Sequence, residues 1–170
     1  MRSYRDAILE TIRLALLDME TGLPLDDPYA YGFSTVTRAD QLPPAKMVRY
    51  VANVSPGDEI KAVNTRFNDC QLPVMIDFAF RLNTGDPTAS EMVEILLADL
   101  QRRIYLDRSL NGLAIDTREE GNTVALSSSE DKQLEGTLFL NVFYRHDLDD
   151  PRKFCGEPPA DPHPTSGEPT

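Results

Sequence analysis

The side chains able to carry chemistry are few and scattered. The chain has two histidines, His146 and His163, and two cysteines, Cys70 and Cys155. A protein metal site needs His and Cys at short, regular spacing; neither histidine has such neighbours and no C-x-x-C occurs. His146 precedes Asp147, Asp149 and Asp150, and a solvated acidic turn accounts for that grouping more simply than a cation site. Cys70 stands before Gln71-Leu72-Pro73 with no motif around it, so it reads as a structural thiol rather than a nucleophile. Glu94, Asp99 and Asp107 share a helical stretch with Arg102, Arg103 and Arg108, where surface ion pairs explain them without acid–base catalysis. No G-x-S-x-G, phosphate loop or G-x-G-x-x-G is present. Asn53-Val54-Ser55 fits a glycosylation sequon, expected to be silent because the N-terminus does not read as a secretion signal. The residues make no case for an enzyme, and neither a metal nor a cofactor is expected.

Composition narrows the partners. The 170 residues are 41% hydrophobic and 26% charged, which suits one domain with a real core. No apolar run approaches the ~20 residues that span a bilayer, so no membrane partner is expected. Two cysteines make no disulfide framework, which points to a reducing compartment. Net charge is −11, with 28 acids spread along the chain, the opposite of a surface that grips phosphates. The cations are 13 Arg and four Lys. Arg is the cation enriched at protein interfaces, because its planar fork pairs carboxylates at two points; a GC-rich genome gives the same bias.

The elements that must position any site follow from periodicity. Ser3 N-caps a helix over 4–19, with Ile8, Ile12, Ala15, Leu16 and Met19 on its apolar face and Gly22 as its stop. Strands are expected over Tyr31–Arg38 and Lys46–Val54, then a turn at Ser55-Pro56-Gly57-Asp58, then a weaker strand over Glu59–Arg66 that closes a hairpin. Pro73–Leu82 alternates, with Val74, Ile76, Phe78, Phe80 and Leu82 facing one way and Met75, Asp77, Ala79 and Arg81 the other. A Thr88/Glu91 capping box opens a second helix over 88–110, striped by Val93, Leu96, Leu97, Leu100 and Ile104, and Asn111-Gly112 ends it. Two short strands, Leu113–Thr117 and Thr123–Leu126, flank a turn at Glu120-Gly121-Asn122. After a polar loop at 127–132 the last strand, Leu134–His146, puts Leu138, Leu140, Val142 and Tyr144 inward and Phe139, Asn141, Phe143 and Arg145 outward. The fold class is α+β: a mainly antiparallel or mixed sheet with two principal helices packed on it.

Two features look beyond a single chain. Phe139 and Phe143 on the outward face of a strand are more apolar surface than solvation needs, so a neighbouring subunit or a further helix must cover them. Beyond His146 the composition changes: six of the 13 prolines fall at 151, 158, 159, 162, 164 and 169, and residues 147–170 carry six acids against Arg152 and Lys153. Such a segment builds no core of its own. The chain therefore divides into one domain, 1–146, and an extended acidic arm, 147–170, with Phe154 as its natural apolar anchor. Arg81, Phe139, Phe143, Arg145 and Phe154 are the candidate subunit or partner contacts.

Three stretches carry a family resemblance. Leu72-Pro73-Val74-Met75-Ile76-Asp77-Phe78, then Ala98–Ile104 running through Asp107-Arg108-Ser109-Leu110-Asn111-Gly112-Leu113-Ala114-Ile115-Asp116, then Glu135-Gly136-Thr137 through Phe143-Tyr144-Arg145 and Asp149-Asp150-Pro151 together resemble the tail terminator (tail completion) proteins of long-tailed bacteriophages and related gene-transfer particles. The resemblance spans roughly residues 3–151. It implies a non-enzymatic virion protein at the tail–neck junction, assembled in the host cytoplasm. It further implies a homo-oligomer, a hexameric ring that caps the head-proximal end of the tail tube and ends its polymerisation. That ring meets the tail tube protein on one side and a neck connector on the other, and DNA is a partner only in passage through the channel. Three alternatives remain: another head–tail joining (neck) protein, told apart by twelve subunits and a helical bundle; a protein-binding module acting through its Pro-rich tail; and a small enzyme, which an ordered acid–base pair in a deep pocket would be needed to revive.

Overall fold

The structure, a computed structural model, describes residues 3–21, 29–38, 50–83, 88–126 and 133–153. Expectations for Gly22, residues 39–49, the loop at 127–132, Phe154, Cys155, His163 and the arm beyond Lys153 lie outside the described residues. Among the described residues two helices, α1 (Tyr4–Thr21) and α2 (Ala89–Tyr105), accompany six strands: β1 (Thr35–Thr37), β2 (Tyr50–Pro56), β3 (Ile60–Val63), β4 (Phe67–Arg81), β5 (Asp116–Leu126) and β6 (Gln133–Asp147). The sheet runs β1-β2-β4-β6-β5, with β3 also on β4. Among the described strands only β1–β2 is parallel. The fold is α+β with a mixed sheet, as the alternation indicated.

Both helices pack on one face. Ile8, Ile12, Leu16 and Met19 of α1 and Met92, Leu96, Leu100 and Ile104 of α2 join Val54, Ile76, Phe78, Phe80, Leu138, Leu140 and Val142 in one buried cluster. Ser3 Oγ accepts the Asp6 amide at 3.2 Å, and Thr88 with Glu91 forms the reciprocal capping box.

Several expected boundaries move, each for a local reason. The 31–38 strand shrinks to Thr35–Thr37, paired only with β2. Ser55 and Pro56 stay in β2, and the chain beyond them bulges instead of turning. β2 pairs residues 74–80 of β4, and β3 continues down the same edge against residues 68–71. The 57–59 interruption adds one residue to that edge, so β3 pairs β4 rather than folding back on β2. β4 therefore starts at Phe67, six residues before Pro73. Gly57 donates its amide to the Pro73 carbonyl at 2.8 Å. Pro73 presents its missing N–H to this same edge, where the bulge has already broken the ladder, and so is tolerated inside a central strand.

Helix α2 stops at Tyr105 rather than 110. Residues 106–113 make hydrogen-bonded turns in which Leu110, Asn111 and Gly112 have φ of 51°, 59° and 78°, a left-handed run that reverses the chain into β5. The Asp107 carboxylate holds this turn through the amides of Ser109 and Asn111 at 3.1 and 2.6 Å. The two short strands are one strand, β5, with a register shift between Glu119 and Gly121. Glycine at φ 143° supplies the bulge that sequence reads as a turn.

Candidate functional site: the outer face of the sheet

Odd-numbered positions of β4 and β6 oppose one another and point away from the helices. No described helix covers this face. It carries Met75, Asp77, Phe139, Asn141, Phe143 and Arg145. Towards β2 it is buried, at Val51, Asn53 and Ala79, while Met75, Phe139 and Phe143 are half-buried. Asn53, the sequon residue, is 2% exposed and accepts from Thr37 Oγ1 at 2.9 Å, so the folded domain offers no acceptor there.

The predicted contact residues divide. Phe139, Phe143 and Arg145 share one strand face. Arg118 of β5 lies over the Phe143 ring at 5.0 Å and also pairs with Asp116 at 2.7 Å. Arg145 is engaged within the chain: its guanidinium pairs with Asp69 across the β4–β6 register and lies 4.3 Å above the Phe67 ring. Arg81 is exposed opposite Gln133, at the other end of β4. Twelve residues of strand separate Asp69 from Arg81, roughly 40 Å, so Arg81 and Arg145 do not form one patch.

Sequence reasoning missed the centre of the face. Two β-bulges, at 57–59 and 119–121, flank the directly opposed pair Pro73 and Asn141. Between them lies a groove of about 410 Å³ lined by Gly57, Pro73, Met75, Glu120, Phe139 and Asn141. Asn141 is 5% exposed. Its Nδ2 donates to Glu120 Oε1 at 3.1 Å, while its Oδ1 is buried with no donor. A buried unpaired carbonyl costs free energy, which marks this floor as a place where a donor belongs. The E-G pair at Glu120-Gly121 was the available signal, but reading it as a turn hid the bulge that puts Glu119 towards α2, bonded to Gln101 at 3.0 Å, and Glu120 outward.

The chemistry-bearing residues sit on the opposite face and are occupied. His146 is buried, with Nδ1 2.7 Å from the Asp147 carbonyl and Nε2 3.5 Å from Lys61 Nζ. Lys61 also pairs with Glu59 at 3.0 Å, which accepts the Tyr144 hydroxyl. Tyr144 stacks on Tyr4 of α1. Burial, with Glu59 beside it, pushes the Tyr144 hydroxyl far above its ordinary range, and burial also raises the Cys70 thiol. The Asp147 carboxylate accepts the amides of Asp149 and Asp150, and Asp150 pairs with Arg152 at 2.7 Å. Among the described residues no group of three metal-ligating side chains occurs. Asp99, expected in a surface ion pair, is instead buried and accepts the amides of Ala30 and Tyr31 at 2.9 and 3.4 Å. The arginines near it look elsewhere: Arg103 to Asp18 and Arg108 to Asp116.

The start of the expected arm is tied to the domain. β6 includes Asp147, whose amide donates to the Lys153 carbonyl at 2.8 Å, and Tyr4 donates to the Pro151 carbonyl at 3.4 Å. Residues 147–153 thus close the domain beside the start of α1.

No protein-family profile matches the chain, and no curated protein matches it. Among solved structures it is similar to the cryo-EM structure of the PVC sheath/tube terminator, in its extended state, from an extracellular contractile injection system. Identity is 10%, the TM-score is 0.37, and the match covers 97% of this chain but 65% of that one, less than two thirds of its length. At that TM-score the likeness carries neither fold detail nor role from one chain to the other.

Proposed function

We propose that this chain is a non-enzymatic assembly subunit that forms a hexameric ring, caps the head-proximal end of a phage-type tail tube and offers its other side to a neck protein. The observation that carries the proposal is the sheet face opposite the helices. It holds half-buried Phe139, Phe143 and Met75 and a buried acceptor without a donor, and no described helix lies over it. Such a face suits burial against another protein. The sequence resemblance over residues 3–151 supplies the kind of assembly. The net charge of −11 suits a ring that DNA passes without being held. The histidine and cysteine inside the described fold serve packing: His146 has both ring nitrogens engaged, and the Cys70 thiol is buried.

Native mass spectrometry with negative-stain imaging tests this reading. Six-fold rings that cap purified tail tubes and halt their growth are expected. Twelve-fold rings would favour a neck protein instead. A monomer that binds partners through its C-terminal segment alone would favour the binding-module reading.

A further inference from the structure

The groove on the outer face has its complement elsewhere on the same chain. β3 and β4 form a hairpin closed by the Asn64 amide on the Phe67 carbonyl at 2.9 Å. Residues 60–66 are exposed throughout, including Ile60 at 61% and Val63 at 74%. Val63 adjoins the turn, and Ile60 stands at the other end of β3 opposite Gln71; both are large apolar side chains left to water, which is a poor partner for them. At the turn stands Arg66. Among the described residues it is the one arginine with no hydrogen bond, ion pair or ring contact. The other described arginines already have partners: Arg13 has Glu10, Arg38 has Asp6, Arg103 has Asp18, and Arg118 has Asp116.

We infer that the β3–β4 hairpin tip of one copy seats in the Pro73–Phe139–Asn141 groove of a second copy, with Arg66 on Glu120. The groove has what the tip lacks. Met75, Pro73 and Phe139 give apolar walls for the arginine stem and its aliphatic neighbours. The Glu120 carboxylate uses one oxygen on Asn141, and the Asn141 amide oxygen has no donor. The guanidinium fork carries enough N–H groups for both. Arg118, the nearest cation on the face, is neutralised by Asp116. A tip cannot fill its own groove. Arg66 lies seven to nine residues along the strand from Pro73 and Met75, roughly 23–30 Å, and the hairpin is held in line where Phe67 pairs with Asp147 of β6. The occupant must be another molecule. Tip and groove are different surfaces, so the contact is heterologous and propagates head to side, closing into a ring or running on as an open chain.

This inference names the contact that would build the proposed ring, and its test separates the two. Arg66→Glu and Glu120→Arg are each expected to weaken self-association roughly tenfold or more in sedimentation velocity, with unchanged thermal melting. The double variant R66E/E120R is expected to reassemble. Mixing the two single variants sets the wild-type tip of E120R against the wild-type groove of R66E, and the reversed tip of R66E against the reversed groove of E120R, so the mixture is expected to reassemble with the two variants alternating. Six-fold rings that persist in both single variants would overturn the inference and leave the ring proposal standing. An open chain abolished by either single variant and restored in the double would uphold the inference and overturn the ring. A wild-type monomer at all concentrations, or single-variant losses that the double variant does not restore, would overturn the inference.

Discussion

Gly136 and Phe78 face one another across the β4–β6 ladder, and the phenylalanine ring occupies the space a side chain at 136 would take. A Cβ there would lie 2.4 Å from Phe78 Cζ and 2.7 Å from the Thr123 carbonyl oxygen. The ring is fully buried, and the second contact is backbone of β5, so neither neighbour gives way easily. Gly136→Ala is expected to cost about 1–3 kcal/mol by overpacking. Phe78→Ala is expected to cost about 3–5 kcal/mol by leaving a cavity. Urea unfolding of both variants checks this; a G136A variant as stable as wild type would show that the ring does not lie over the glycine.

The cap of α2 gives a smaller, cleaner test. The Glu91 amide donates to Thr88 Oγ1 at 3.3 Å, and the Thr88 amide donates to the Glu91 carboxylate at 3.0 Å. Thr88→Ala is expected to lower stability by about 1 kcal/mol. The Thr88 hydrogen bonds hold the Glu91 carboxyl below its ordinary 4.5. Its contribution is therefore present above that pH and fades as pH falls through the lowered value. The difference between wild type and T88A in denaturant midpoint should shrink in acid. A constant difference down to pH 3 would argue against a charged cap.

At alkaline pH the sign reverses. Burial raises Cys70 from an ordinary 9.0 and Tyr144 from 10.0. Both groups stay protonated in the fold after they have ionised in the unfolded chain. Their stabilisation is complete below pH 9 and declines as pH rises, by up to about 1.4 kcal/mol per pH unit for each group. Tyr144→Phe should flatten the decline above pH 10, while costing stability at pH 7 because Glu59 keeps Lys61 but loses the hydroxyl donor. Equal slopes for wild type and Y144F in urea titrations from pH 8 to 10.5 would sink this account.

The C-terminal boundary is testable by truncation at two points. Removing 154–170 keeps the Pro151 and Lys153 carbonyls that accept from Tyr4 and Asp147, and the melting temperature of the domain is expected to stay within a degree or two. Removing 147–170 takes both acceptors and the last pair of β6, and should lower stability by about 1–2 kcal/mol. If the shorter deletion also unfolds the domain, the segment beyond Lys153 is part of the core. If it leaves the domain intact but weakens joining to a partner particle, it acts as the docking arm that its proline-rich, acidic composition suggests.

The elements whose signals are local were legible in the sequence. The alternation Val74-Ile76-Phe78-Phe80 and Leu138-Leu140-Val142-Tyr144 specified two strands and their inward faces, because side-chain direction along a strand depends only on parity. The Thr88/Glu91 box and the Ile8-Ile12-Leu16-Met19 stripe specified both helices for the same kind of reason: three- and four-residue spacing is a property of the chain itself. What tertiary structure decided was pairing. A bulge and a turn draw on the same residues, so Pro56-Gly57 and Glu120-Gly121 read alike as chain reversals; only the ladder of β4 and β6 on either side makes them single-residue slips. Those slips turn Glu120 outward, open the groove over Pro73 and leave Asn141 Oδ1 without a donor. Likewise Arg145, near the end of β6, and Arg66, in the turn before β4, are the same residue type. Register gives Arg145 a partner in Asp69 and leaves Arg66 with none, because the atoms that neutralise a charge come from whichever strand the fold brings beside it.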